Sequence, residues 1–356
     1  FPPLPPPLRP PPRPQTTSRL RRTAEARVSF RKACEAQPSS YYAWQCWAVL
    51  EQEARNFKEA RLLFQRSVDA NPRNAATFQS WGVFESKQGN LENATQLFRR
   101  GLKCQPRNTH ILQAWAGVEG RLGNTRKAVE LFEKAIEIRP SDAALFQAYA
   151  VMCADLGDLE GARRLFALGT KADKTHLKTY QTWGLLEAEQ GNLEDARRVF
   201  QQGAWAAPRG KGITELWQAW ALTEAAQGYP TEESRPLLTQ DLGATDRRDS
   251  SGKTKNQNEQ CPLALQEARK YFQFALDAAQ QAYPSRAVVS WAKVEERYGY
   301  FGRARALFEA AAAADPSNKR LWAAFDAFEG RRGSMAERQK VNSRANFASI
   351  SALTTQ

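Results

Sequence analysis

The sequence predicts an all-α protein, an α-solenoid superhelix of antiparallel helix pairs, on three observations. The first is a period of 34 residues: residues 71–106 (NPRNAATFQSWGVFESKQGNLENATQLFRRGLKCQP) recur, closing at Pro38, Pro72, Pro106, Pro140 and Pro208, with Lys174 in the place of a sixth. The second is an Ala-x-x-x-Phe pair ahead of each closure, at Ala26/Phe30, Ala60/Phe64, Ala94/Phe98, Ala128/Phe132, Ala162/Phe166 and Ala196/Phe200, returning as Ala268/Phe272 and Ala304/Phe308. The third is that apolar spacing is helical throughout, with no strand-like alternation of useful length. A unit this short cannot bury its own apolar face, so stacked copies must share one continuous core.

Within a copy, the first helix opens after a Pro-x-[Asn/Asp/Ser] step. Asn74, Asn108, Asp142 and Asn318 can there cap the free amides of a first turn. It closes near Gly89, Gly123, Gly157 or Gly191, where glycine can take the left-handed conformation that ends a helix. The next residue, Asn90, Asn124, Asp158 or Asn192, is expected to cap the second helix. That helix places Ala, Phe and a small residue (Ser67, Gly101, Ala135) at i, i+4 and i+7, one apolar stripe.

Taken in order, residues 1–23 form a Pro/Arg-rich arm with no acid before Glu25. Proline density predicts an extended, disordered, solvated segment there. The composition is equally that of the remnant of an organellar transit peptide. A helix at 24–36 is then the second half of a unit whose first half is missing. With no initiator methionine, the chain is expected to be a piece of a longer array. Repeats occupy 24–228 and resume at 264–330. Between them, 229–263 is rich in Ser, Thr, Asn, Gln and Gly, with six acids and five bases, and reads as a disordered surface insertion. Residues 331–356 are expected to form a C-terminal cap and tail, with a short helix around 336–345.

The formal charge of +13 and pI near 9.7 favour an acidic partner, nucleic acid before others, with the excess read as spread along the whole array. No window of about 18 apolar residues occurs, so no membrane span is expected. Five cysteines without Cys-x-x-Cys spacing read as reduced packing residues. With only His110 and His176 available, neither a metal site nor a cofactor is expected.

Late in each first helix stands a glutamate: Glu51, Glu85, Glu119, Glu187, Glu224, Glu295 and Glu329, with Cys153 the exception. Four residues before six of them is a tryptophan, Trp47, Trp81, Trp115, Trp183, Trp220 or Trp291. The period, the Ala/Phe/Pro pattern, and Trp-x-x-x-Glu followed by Ala-Arg-x-x-Phe resemble the half-a-TPR (HAT) repeat, a relative of the tetratricopeptide repeat (TPR) known mainly from RNA-processing proteins. The resemblance covers roughly residues 24–330. The regular copies, basic charge and acid-free leader look most like chloroplast HAT-repeat factors that stabilise and process the leader of photosystem II (psbB–psbH) transcripts. It implies a non-enzymatic protein of the chloroplast stroma that occupies single-stranded RNA in a 5′ leader and blocks exonucleases. The rival is a nuclear, protein-binding HAT scaffold of an RNA-processing complex (splicing, 3′-end cleavage or pre-rRNA processing).

The glutamates recur too regularly for a general acid and its partner, and no catalytic constellation is present. Each is expected to pair with an arginine of the following helix, as Glu51 with Arg61, Glu187 with Arg197 and Glu295 with Arg305. The tryptophans, nine of ten at two interior positions, read as core. The row left over is Gln45, Gln79, Gln113, Gln147, Gln181 and Gln218, about 100° around the helix from the interior aromatic. A glutamine amide both donates and accepts, so it can meet the edge of any base, and in related repeats the matching position faces the groove. The same row could instead bond from repeat to repeat. Discrimination would come from a variable neighbour (Tyr42, His110 and Lys178 among them), and phosphate contacts from Lys87, Arg121, Arg209 and Lys211.

Overall fold

The computed structural model describes residues 14–227, 262–279, 285–333 and 335–354. Among them every regular element is a helix: α1 (Pro14–Ala36), α2 (Tyr41–Glu53), α3 (Phe57–Ala70), α4 (Ala75–Lys87), α5 (Leu91–Cys104), α6 (Thr109–Arg121), α7 (Thr125–Ile138), α8 (Ala143–Asp155), α9 (Leu159–Ala172), α10 (Leu177–Glu189), α11 (Leu193–Ala206), α12 (Ile213–Gln227), α13 (Leu263–Asp277), α14 (Ser285–Arg297), α15 (Phe301–Ala314), α16 (Lys319–Arg332) and α17 (Met335–Thr354). This is the α-solenoid architecture of antiparallel helix pairs that the repeat predicts. The chain divides into two units, residues 1–152 and 153–356.

In the N-terminal unit α2 packs on α3, α4 on α5 and α6 on α7, and each first helix also meets the next, α2 with α4 and α4 with α6. The C-terminal unit repeats the plan with α10/α11, α12/α13, α14/α15 and α16/α17, and α12 lies between α10 and α14. The Phe of each second helix is the pivot. Phe64, Phe98, Phe132, Phe166, Phe200, Phe272 and Phe308 are all fully buried, each worth about 2–3 kcal/mol of apolar burial. Several stack on an aromatic of the following first helix, as Phe64 on Trp81 (centroids 6.0 Å) and Phe272 on Trp291 (5.6 Å). These stacks tie each repeat to the next, in addition to the packing within each helix pair.

The first-helix caps are as expected. Asn74 accepts from the Ala76 amide, Asn108 from that of Ile111, and Asn318 from those of Arg320 and Leu321. The turn between the two helices needs positive φ, which Gly89 supplies at 84°. In the register of Gly89 the copy of α2 and α3 carries Arg55, held at φ 61°.

Three expectations about boundaries or caps change. Residues 14–23 belong to α1, not to an extended arm: Pro14 is the last proline of the run and sits at the first helical position, where a missing N–H costs nothing. Residues 1–13 lie outside the described residues. The helix expected around 336–345 is the longer α17, Met335–Thr354, because nothing between those ends breaks a helix. Asn90, Asn124 and Asn192 stand at N-cap positions but make no capping bond, their amides being committed elsewhere. The insertion at 229–263 lies outside the described residues up to 261, and α13 already begins at Leu263.

Candidate functional site

The amides that leave the second helices uncapped go to the buried glutamates. Asn56 donates to Glu51, Asn90 to Glu85, Asn124 to Glu119 and Asn192 to Glu187, each at 2.7–3.1 Å. The tryptophan four residues earlier donates its Nε1 to the same carboxylate, as Trp81 to Glu85 (3.1 Å) and Trp291 to Glu295 (2.9 Å). Trp-x-x-x-Glu is thus one hydrogen-bonded turn. Where the glutamate is replaced by Cys153, the next cap is Asp158, which does cap its helix, accepting from the Gly161 amide at 2.8 Å.

The charge partner is not the one expected. Arg61 does not meet Glu51; it donates from Nε and Nη2 to the two oxygens of Glu85, at 2.8 and 2.9 Å. Arg27 forks onto Glu51, Arg163 onto Glu187, Arg197 onto Glu224, Arg269 onto Glu295 and Arg305 onto Glu329. Each arginine reaches forward to the next repeat, not back within its own. The exception proves informative: the register of these arginines holds Thr95 before Glu119, and Glu119 is served by Lys127 instead. The Thr95 hydroxyl is buried and has no hydrogen-bond partner among the described residues. The arginine forks hold the carboxyls of Glu51 and Glu187 below the usual range, Glu187 down to about 2, against the opposing effect of burial. At Glu85 burial is the larger influence and pushes the carboxyl up, yet Arg61, Asn90 and Trp81 together still bring it down.

The glutamine row lies half-buried along the first helices and divides into two kinds. Gln45 donates to the Ser80 hydroxyl (2.9 Å) and accepts from Thr77 (3.2 Å), both on the next first helix. Gln181 donates to the Glu215 carbonyl (3.2 Å) and Gln218 to the Ser290 hydroxyl (2.8 Å), again one first helix on. These amides bond from repeat to repeat. Gln79 and Gln113, by contrast, make no hydrogen bond among the described residues; Gln147 has a partner of its own.

Of the other candidates, Tyr42 is open to solvent (67% exposed), and His110, Lys87, Arg209 and Lys211 are exposed. Lys178 is exposed but donates to Gln181 (3.0 Å). Arg121 is tied back to Ser86, through the backbone carbonyl (3.2 Å) and the hydroxyl (3.0 Å). The expected even spread of charge is wrong. Residues 1–152 carry 23 Lys and Arg against 13 Asp and Glu, whereas residues 153–356 carry 28 against 25. The N-terminal unit therefore holds +10 of the formal +13, together with the two glutamines that make no hydrogen bond among the described residues.

Among the described residues no group of His, Cys, Asp or Glu is placed to hold a metal ion, and no helix is long and apolar enough to cross a membrane. The tryptophans are core or half-buried, except Trp205 on α11, which is 72% exposed.

A family model described as "Pre-mRNA-splicing factor Syf1/CRNKL1 C-terminal HAT repeat" matches residues 47–235. No curated protein matches the chain. Among solved structures, yeast Tom70 aligns over 93% of this chain and 59% of its own, at 13% identity and a TM-score of 0.56. The pilus biogenesis factor PilW aligns over 57% of this chain and 94% of its own (16% identity, TM-score 0.45). YrrB, described as a TPR protein with an unusual peptide-binding site, aligns over 50% and 92% (19% identity, TM-score 0.36). At 13% identity the likeness to Tom70 speaks for the fold alone.

Proposed function

The chain belongs to the HAT-repeat family, and on that premise we propose that it is a non-enzymatic scaffold that binds single-stranded RNA across its N-terminal unit. One observation carries this reading: residues 1–152 carry +10 of the chain's formal +13, on the unit where Gln79 and Gln113 make no hydrogen bond among the described residues and His110 is exposed. Cations supply affinity for phosphate without regard to sequence, and amides and an imidazole offer contacts to base edges. Gln45, Gln181 and Gln218 serve chiefly to set the spacing of the first helices.

Within this reading the finer assignment follows the chloroplast HAT-repeat factors that the sequence resembles. The protein occupies a 5′ leader segment of an organellar mRNA in the stroma, blocks exonuclease passage and so supports photosystem II gene expression. The chemistry asked of the protein is occupancy alone.

The test is binding of the purified chain to single-stranded and duplex RNA of the same sequence. An A-form duplex hides its bases in a deep groove, so preference for the single strand should be at least about tenfold, about 1.4 kcal/mol. Equal affinity for the two would overturn the reading.

A second reading, a protein-binding scaffold of a splicing, 3′-end cleavage or pre-rRNA-processing complex, is favoured by the exposed Trp205 and Leu168 on second helices of the C-terminal unit. Tryptophan is the residue most enriched at binding hot spots. Under it, Trp205→Ala would weaken a protein partner and leave RNA affinity alone.

A further inference from the structure

The second helices of the N-terminal unit carry cations in two registers with different fates. The first register is the Ala-Arg position, whose members Arg27 and Arg61 are consumed by the forks onto Glu51 and Glu85. The second lies five residues on and holds Lys32, Arg66, Arg100 and Lys134, four cations at strict 34-residue spacing. All four are exposed, and none forms an ion pair among the described residues. Two of them are held in place by rings: Arg66 lies 5.1 Å from the Trp44 centroid and Arg100 4.7 Å from that of Phe78. Each ring is the residue immediately before a glutamine of the row, Gln45 or Gln79, so the guanidinium and the amide stand at the same end of one hairpin. The Arg66 charge favours the thiolate of Cys34 on α1, against the stronger upward push of burial on that thiol.

In the later copies the same register reads Leu168, Gln202, Phe274 and Ala310. The cation row therefore stops where the N-terminal unit stops, independently of how the total charge is counted. Equivalent positions on stacked copies repeat at a constant interval, and an array of single positive charges at constant interval matches a partner whose negative charges are also regular. A phosphodiester backbone is such a partner; an acidic peptide, with irregular carboxylates on rotatable side chains, is a poorer match.

We infer that Lys32, Arg66, Arg100 and Lys134 form a rail for consecutive phosphates of a single nucleic-acid strand, one cation per repeat. This rests on the RNA reading above and assigns its phosphate-binding face. The test uses the full chain and a uridine homopolymer, which removes base discrimination, with affinity measured across a salt series. One variant changes all four rail cations to Gln. A control variant changes Arg164, Lys171, Lys174 and Lys293, exposed cations of the C-terminal unit, and so removes the same net charge. Single-strand binding falls with salt by about 0.7 in log–log slope per phosphate contact, so the rail variant should lose close to 3 from the slope. The control should keep the wild-type slope. If the four-fold variant does not melt like the wild type, Arg100→Gln alone should lose about 0.7, and Arg100→Lys should lose none.

Equal loss in the rail and control variants would overturn the rail and leave RNA binding intact as general attraction. Polyglutamate binding as tightly as the homopolymer, with the same loss in the rail variant, would transfer the face to an acidic protein and overturn the nucleic-acid assignment. No measurable binding of the wild-type chain to any single strand would remove the RNA reading and the rail with it.

Discussion

Arg61 on α3 closes a two-pronged ion pair on Glu85 of α4, the carboxylate of the next repeat, and the Glu85 side chain is almost wholly buried while the Arg61 side chain remains 39% exposed. The asymmetry predicts unequal costs. Arg61→Ala leaves a charged carboxylate in the core with only Trp81 and Asn90 as donors. Glu85→Gln leaves a guanidinium that can turn to water. Stranding a buried charge costs about 3–5 kcal/mol, so Arg61→Ala should sit near the lower end and Glu85→Gln nearer half of it. Urea unfolding of both variants checks this. Costs in the reverse order would show that the carboxylate is better solvated than its burial implies.

The same forks make the array sensitive to acid. The Glu187 carboxyl is held at about 2 by Arg163, well below its value in the unfolded chain. A depressed folded value means that the unfolded chain binds the proton first. The contribution is therefore complete above about pH 5 and is lost as pH falls toward 2. The urea midpoint should decline across that window, and Glu187→Gln should decline less steeply from a lower start. Parallel curves for the two proteins would show that Glu187 is not among the groups responsible.

The period and the first-helix caps were legible because both are local. A proline every 34 residues and an Asn two residues after it require only the neighbouring chain to act. The partner of each glutamate was not legible, and the reason is arithmetical. An arginine ten residues after Glu51 and another 24 residues before it are equivalent members of one 34-residue register, so periodicity cannot choose between Arg61 and Arg27. Only the way one repeat leans on the next decides, and it selects Arg27. The glutamine row shows the same limit. Gln45 and Gln79 are identical in register, yet Ser80 faces the first, whereas the second, whose equivalent neighbour is Ala114, makes no hydrogen bond among the described residues. The concentration of charge in the first 152 residues was open to counting from the start; the regularity of the copies obscured it.

Arg55 offers a direct test of the helix–helix turn. It takes the left-handed conformation at φ 61°, where the equivalent positions are Gly89, Gly123, Gly157 and Gly191. A side chain there costs about 1–2 kcal/mol relative to glycine, part of which returns as the greater unfolded-state freedom of glycine. Arg55→Gly should therefore stabilise the N-terminal unit by about 1 kcal/mol, read as a raised urea midpoint with an unchanged slope. Arg55→Ala should give no such gain, because alanine carries the same Cβ.

The two kinds of glutamine give the last prediction, which compares two double variants. Gln181 and Gln218 donate to the next first helix, to the Glu215 carbonyl and the Ser290 hydroxyl. Replacing both by alanine removes bonds within the fold, so stability should fall by about 1 kcal/mol per bond while single-stranded RNA affinity stays as it was. Gln79 and Gln113 make no such bonds and lie on the unit that carries the positive excess. Replacing that pair should leave the melt unchanged and weaken binding of a mixed-sequence RNA by about 1 kcal/mol per contact. The salt slope should not move, since no phosphate contact is touched. Measured side by side, the first pair should move only the melting curve and the second only the binding curve. If Gln79→Ala with Gln113→Ala binds RNA like the wild type, the first-helix row does not contact bases, and recognition must lie elsewhere on the N-terminal unit.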